Sequence, residues 1–414
     1  MNRTNQYLSI DKQKLGNWNK RNVLRCIEEN QPIHRAAIAQ MIGLSIPAVM
    51  SITEELLVQG MIKSAGRADT GVGKHPELLS VCGDHFRYVG VDVGRINMRA
   101  VLTGQDGRVL SSAQILTRNA EDPEKCTEDI CDLIRKVIKE ADIDLKTLVG
   151  ICVAMPGLIE QETGRVIFSP DFAWKDVPLQ EWLNEKMRPY HVIVKNANRA
   201  QARWEVRPEK GLNRELTIFC MGLGFGIGSA MITNGEMHYG SSGTSGEIGH
   251  ITVNPDGPMC SCGNNGCLEA MASGYAIQKQ ARQAAVQNKD SLLYRMSGGD
   301  IHKITAKEVF EAAAMHDSTS MLIIDRAARY IGIALAAAIN MLDPDIIYLC
   351  GGLLKNGPNF MEKIRKYTKE RQMHLAGRHV TIEWGSQDEF NVAKGATLMI
   401  QDSGWEFEAL RFLF

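Results

Sequence analysis

Three of the ten cysteines, Cys260, Cys262 and Cys267, fall within one short loop, and His250 stands shortly before them. One imidazole and three thiolates at such separations can close a tetrahedron around zinc. The loop Pro258–Met259–Cys260–Ser261–Cys262–Gly263–Asn264–Asn265–Gly266–Cys267 carries glycines that permit tight folding about an ion. With all four positions filled by protein, such a zinc is structural and activates no water. The remaining cysteines are scattered, and the first residues, MNRTNQYLSIDKQ, show no apolar core of a secretory signal. This pattern predicts reduced thiols in a bacterial cytoplasm rather than a disulfide scaffold. The longest apolar stretch, Ile331–Leu342, is too short to span a bilayer, so no membrane partner is expected.

A chain of 414 residues holds two to four domains at roughly 100–200 residues each. Its 44% apolar and 23% charged residues exclude a disordered or collagen-like polymer. Lys and Arg total 47 against 48 Asp and Glu. That balance excludes a uniformly basic nucleic-acid coat but leaves room for a local DNA-reading module. The pattern changes near residues 82–86, from helices and a short hairpin to apolar strands, Gly-rich turns and helices. Tyr88–Leu102 reads as one hairpin strand turning at Gly104–Gly107, Pro123–Ala141 as a helix and Leu148–Ala154 as a buried strand. Short strands follow at His191–Val194, Leu216–Met221 and Gly228–Thr233. Met321–Leu342 reads as a long core helix and Asp345–Leu349 as a strand. The alternation predicts an α/β body.

The stretch Arg35–Glu54 has the chemistry of a helix-turn-helix. Ala39 is small where two helices touch, Gly43 sits where the turn needs a positive φ, Ser45 can cap the second helix, and Pro47 fits its first turn. Val49 and Ile52 point inward, and an earlier helix over Val23–Glu29 supplies the third face. A Gly-rich tip, Gly71–Lys74, between two short apolar runs predicts a wing. DNA contacts are therefore expected from Ser45, Pro47, Ala48 and Ser51 on the second helix, and from Arg67 and Lys74 on the wing. The second helix carries no Arg or Lys, so base reading falls to small side chains and helix dipoles.

Gly246–Glu247–Ile248–Gly249–His250, followed by Cys260-x-Cys262-Gly-x-x-Gly-Cys267-Leu-Glu269, resembles the signature of the ROK family (repressors, open reading frames, sugar kinases). The resemblance runs from about Tyr88 to the end, and the helix-turn-helix in front resembles the family's repressor branch. It implies an α/β fold with an N-terminal winged helix-turn-helix over 1–82 and a two-lobed, actin-like (ribonuclease-H-like) ROK domain. Lobe 1 would span 83–198 and be completed by a C-terminal helix within 386–414; lobe 2 would span 199–385 and hold the zinc loop. Sugar contacts implied by the resemblance are Glu247, His250 and Glu269, with Asn196 and Asp171 beside them. Zinc on His250 would fix the ring and leave its second nitrogen for a hydroxyl.

Kinases of this family have a D-x-G-G-T-K loop, a G-T-G-I-G loop and an N-D-A-N stretch whose Asp is the general base. Here the first loop reads Asp92–Val93–Gly94–Arg95–Ile96–Asn97, the second Gly224–Phe225–Gly226–Ile227–Gly228, and the third Lys195–Asn196–Ala197–Asn198. Aligned without a gap, Asn196 takes the place of the Asp. A carboxamide cannot accept the hydroxyl proton, and loss of a general base costs about two to four orders of magnitude in rate. The expectation is a non-catalytic sugar sensor: a sugar-responsive repressor that binds operator DNA as a homodimer or homotetramer. Lys195, if it faces the cleft, would favour a sugar phosphate over a neutral sugar. The alternatives are an ATP-dependent sugar kinase carrying a DNA-binding module, and a zinc-stabilised sugar-binding protein that recruits a protein partner.

Overall fold

The computed structural model describes residues 12–68, 75–83, 85–207, 210–213, 215–356, 358–374 and 379–404. Lys74 and the tip of the expected wing lie outside them.

The N-terminal unit comprises α1 (Lys12–Asn30), β1 (Ile33–His34), α2 (Arg35–Ile42), α3 (Ile46–Val58), β2 (Ile62–Arg67) and β3 (Glu77–Val81). Its three strands pair in the order β1-β3-β2. The first helix is longer than the Val23–Glu29 expected, extending mainly towards the N-terminus. Gly43 ends α2 at φ 69°, a left-handed conformation that disfavours any side chain, and its N–H bonds to the Ala39 carbonyl. Ser45 caps α3 by accepting from the Ala48 N–H at 3.4 Å, and Pro47 occupies the first turn. Helices α2 and α3 meet at 118°, within the usual helix-turn-helix range. Arg35 ties them to the wing: it donates to Thr53 Oγ1 and to Glu77 Oε2, each at 2.8 Å.

Lobe 1 follows with β4 (Arg87–Val93), β5 (Asn97–Gly104), β6 (Val109–Leu116), α4 (Pro123–Ala141), β7 (Leu148–Met155), β8 (Leu158–Ile159), β9 (Val166–Ser169), β10 (Trp174–Val177), α5 (Leu179–Lys186) and β11 (Val192–Asn196), after which α6 (Ala197–Glu205) runs on towards lobe 2. The segment expected as one strand over Tyr88–Leu102 is two antiparallel strands. The chain reverses at Gly94–Ile96, where the Gly94 N–H bonds to the Asn97 carbonyl at 3.1 Å. The turn expected at Gly104–Gly107 then joins β5 to β6. Asp122 caps α4, which buries Ile130, Leu133, Ile134 and Val137 along one stripe against the sheet.

Lobe 2 contains β12 (Ile218–Leu223), β13 (Ile227–Thr233), β14 (Glu236–Met237), α7 (Leu268–Ala272), α8 (Gly274–Gln287), α9 (Leu292–Met296), α10 (Ala306–Ala314), α11 (Ser318–Leu342), β15 (Ile346–Cys350), α12 (Pro358–Lys369) and β16 (Thr381–Trp384). Helix α13 (Asn391–Gly404) then returns to lobe 1. The sheets run β6-β5-β4-β7-β11 and β14-β13-β12-β15-β16. In both, the first two pairings are antiparallel and the last two parallel. Two lobes with one topology face each other, and strand ends from both reach the space between them.

Helix α13 lies against β4 and α6. A methyl group on Gly90 would sit 1.9 Å from the Ala393 carbonyl oxygen, so this crossing needs glycine. Phe86 and Tyr88, both almost fully buried, join the winged unit to lobe 1. One continuous apolar cluster runs from Val23, Leu24 and Ile27 through Phe86 and Tyr88 to Ala396, Met399 and Ile400. A polar link parallels it: Tyr88 donates its hydroxyl to Gln105 at 2.5 Å, and Gln105 donates to Glu28 of α1.

Candidate metal centre and interlobe cleft

The ligand atoms of His250, Cys260, Cys262 and Cys267 all lie within 4.8 Å of one another. His250 Nδ1 is 3.6 Å from Cys260 Sγ, and Cys262 Sγ is 3.6 Å from Cys267 Sγ. Zn–S bonds of about 2.3 Å at a tetrahedral centre require S···S edges of about 3.8 Å, so the donor set fits such an ion. None of the ten cysteines is in a disulfide. The loop is shaped by backbone bonds: Cys260 N–H to the Asn264 carbonyl at 2.7 Å and Gly266 N–H to the Pro258 carbonyl at 2.8 Å.

The same loop sets the wall of the cleft. Cys267 immediately precedes α7, whose first turn carries Glu269. Glu269 Oε2 accepts from the Ile227 N–H at 2.9 Å, which anchors it to the second glycine loop. A methyl group placed on Gly226 would lie 2.6 Å from Glu269 Oε2 and 3.8 Å from Asp171 Oδ2. Glycine there leaves these two carboxylates, one from each lobe, facing a common space. Gly249 is equally constrained, since a methyl group would meet the Ile227 carbonyl oxygen at 2.1 Å. That close approach seats Glu247 and His250 beside β13.

The electrostatics bind these groups into one site. Burial pushes Asp171 up to about 6, neighbouring Glu269 adds to the shift, and Arg95 and His250 oppose it. Burial raises Glu247 as well, against His250 and Arg199. Burial also raises Glu269, against its bond from Ile227. Three carboxylates thus share a partly desolvated cleft, with the His250 ring between them and the cysteines.

Arg199 was not anticipated from sequence. It is 4% exposed. Its Nη2 donates to the Gly243 carbonyl at 2.6 Å, and its guanidinium carbon lies 4.7 Å from the Tyr239 ring centroid. From α6 it therefore reaches the lobe-2 loop and favours ionisation of Glu247. No local motif marks it, because Gly243, Tyr239 and Glu247 are distant in sequence.

Asn196 ends β11 and caps α6. Its Oδ1 accepts from the N–H groups of Asn198 and Arg199 at 2.9 and 3.2 Å, and its Nδ2 donates to the Gly157 carbonyl at 2.9 Å. Its structural task is to orient the helix that carries Arg199. Lys195 points its ammonium at the Gln161 carbonyl, 3.1 Å away. It lines a groove of about 1270 Å³ bordered by α1, α13, residues 158–162 and loop 235–244. In the first of the two glycine loops, Arg95 pairs with Glu121 at 3.4 Å. In the second, the Phe225 ring packs on Tyr275 with centroids 5.4 Å apart.

Of the expected DNA-contacting residues, Ser45, Pro47 and Ser51 are exposed on or beside α3, Ala48 is half-buried, and Arg67 is exposed at the end of β2. No single described helix is long and apolar enough to cross a membrane.

A winged helix joined to two topologically matched lobes, with carboxylates converging between them, defines an actin-like protein with a DNA-binding unit attached. The sequence profile of the ROK family matches residues 88–403, and a winged helix-turn-helix DNA-binding profile matches residues 19–63. The chain belongs to the ROK family. It is 28% identical to the xylose repressor of Caldicellulosiruptor bescii over 92% of this chain and 95% of that protein. It is 34% identical to a glucokinase of Thermotoga maritima over 68% of this chain and 86% of the kinase. The crystal structure of a ROK family transcriptional regulator, a homologue of the Escherichia coli MLC protein, shares the fold over 96% of this chain and 99% of that one. The TM-score is 0.76 at 23% identity.

Proposed function

We propose that this chain is a sugar-responsive transcriptional repressor of carbohydrate-use genes, in which the ROK domain senses a sugar instead of phosphorylating it. The observation that carries this reading is the single apolar core uniting the winged helix with lobe 1. Any closure of the cleft that moves lobe 1 or α13 moves the DNA-binding unit with it. Coupling of this kind is on the order of 1–3 kcal/mol and reciprocal between sugar and DNA. The similarity to a xylose repressor over nearly the whole length supports the same reading.

In this reading Asp171, Glu247 and Glu269 accept hydrogen bonds from sugar hydroxyls, and the His250 nitrogen opposite Nδ1 bonds another. Asn196 holds α6 in place and borders the sugar. His250, Cys260, Cys262 and Cys267 hold a structural zinc, whose chemistry is to fix the loop and the imidazole. Ser45, Pro47, Ala48 and Ser51 approach operator bases, while Arg67 and Lys74 meet phosphates. The protein acts in the bacterial cytoplasm, consistent with its ten free cysteines, and pairs as a dimer or tetramer on a two-fold operator.

The absence of turnover rests on three substitutions. Asn196 is committed as a helix cap where the gapless alignment expects a base, Arg95 is salt-bridged in the first loop, and Phe225 fills the second. The test is a thermal-shift screen of sugars and sugar phosphates, with and without Mg·ATP, with ADP release assayed on every stabilising compound. Stabilisation without ADP, and DNA affinity altered by the same compound, is expected. Sugar-dependent ADP release would instead establish the kinase reading, which the similarity to glucokinases favours.

A further inference from the structure

The outward face of α3 carries an unusual set of side chains for a helix that enters DNA. Val49, Thr53 and Leu56 are buried, which leaves Ile46, Pro47, Met50, Ser51, Glu54 and Val58 exposed. Ile46 is 51% exposed and Met50 45%. Glu55 is engaged by Lys20 of α1. Glu54 has no ion pair among the described residues and is the free carboxylate of this face. No cation lies on the helix; the exposed Lys63 and Arg67 sit on β2 instead.

Ile46, Met50 and Glu54 succeed one another at intervals of four residues, so they form one line along the helix. At 1.5 Å rise per residue, each interval is about 6 Å, close to two base-pair steps of about 3.4 Å. In the major groove the apolar feature on a base edge is the thymine C5-methyl. A carboxylate would be repelled by phosphate, but it can accept from the cytosine N4 amino group.

Resting on the DNA-binding reading above, we propose that α3 reads its operator through thymine methyls contacted by Ile46 and Met50 and a cytosine amino group bonded by Glu54. The line Ile46–Met50–Glu54 specifies sequence, and affinity comes from cations outside the helix. This adds Ile46, Met50 and Glu54 to the residues expected from sequence.

The test is selection of binding sites from randomised duplex DNA by the full-length protein, followed by thymine-to-uracil replacement within the selected half-site. Burying one methyl group is worth roughly a threefold to fivefold change in affinity. Uracil at the contacted positions is expected to weaken binding by that factor, and the penalty at one of them should vanish in Met50→Ala. Glu54→Gln should move the preference at one position from cytosine to adenine, the base a glutamine reads. If no sequence is enriched, the DNA-binding reading falls and this inference with it. If a site is enriched but uracil replacement is neutral throughout, or Glu54→Gln leaves the preference unchanged, this inference alone is overturned.

Discussion

Arg199 Nη2 donates to the Gly243 carbonyl at 2.6 Å, linking the helix that follows β11 to the lobe-2 loop that precedes Glu247. The guanidinium is buried, lies over Tyr239 and favours the ionised form of Glu247. Lysine keeps the charge but loses the planar fork that bonds and stacks at once. Arg199→Lys should therefore cost about 1.5–3 kcal/mol of stability and weaken binding of the sugar found by screening by about tenfold. Isothermal titration and urea unfolding measure the two effects; unchanged values in both would remove Arg199 from the cleft's design.

The zinc reading predicts one ion per chain. Cys262 is the exposed member of the four, so Cys262→Ser removes a ligand with little loss of packing. Zinc content, measured by elemental analysis, should fall well below one per chain. Because Cys267 leads directly into the turn bearing Glu269, sugar binding should weaken with it. Full metal content in the variant would show that the cysteine cluster does not need this ligand.

Asp92 is the penultimate residue of β4, and its Oδ2 lies 3.8 Å from Arg99 Nη1. Burial lifts its carboxyl from 3.8 to about 6, more than Arg99 offsets. A carboxyl whose folded pKa is raised binds its proton more tightly when folded. Its effect is absent below about pH 4, grows as pH rises from about 4 to about 6, and is then a constant destabilisation of roughly 3 kcal/mol at most. Asp92→Asn should match the wild type near pH 4 and exceed it above pH 6. Urea midpoints across pH 4–8 test this; a difference independent of pH would mean Asp92 is ionised throughout.

Phe86 is the apolar bridge between the winged unit and lobe 1. Phe86→Ala should cost about 3–5 kcal/mol and separate the unfolding of the two units in calorimetry. In that variant DNA affinity should respond less to sugar than in the wild type. A response of full size would place the coupling elsewhere.

The parts legible in sequence are those fixed by neighbours along the chain. Gly43, Ser45 and Pro47 specify a turn within five residues, and α4 begins at Pro123 and ends at Ala141 as its cap and apolar stripe dictate. The convergence of His250, Cys260, Cys262 and Cys267 was equally legible, because three of the four share one loop. The turn at Gly94–Ile96 was missed, since Arg95 and Ile96 carry none of the usual turn chemistry. Asn196 was read by its chemistry alone, whereas its cap on α6 depends on where β11 ends. Arg199 and the pairing of Asp171 with Glu269 across Gly226 arise from contacts between lobes, which no local pattern encodes.

The return of α13 to lobe 1 also sets an order of events during synthesis. Ala396, Met399 and Ile400 belong to the same apolar cluster as Val23 and Ile27, so the earliest helix waits for the last one. A nascent chain that has released its winged unit but still holds residues 391–404 inside the ribosome lacks part of the apolar cluster that this unit shares with lobe 1. Until translation passes α13, the DNA-binding helices meet lobe 1 through Phe86 and Tyr88 without the closing contribution of Ala396, Met399 and Ile400.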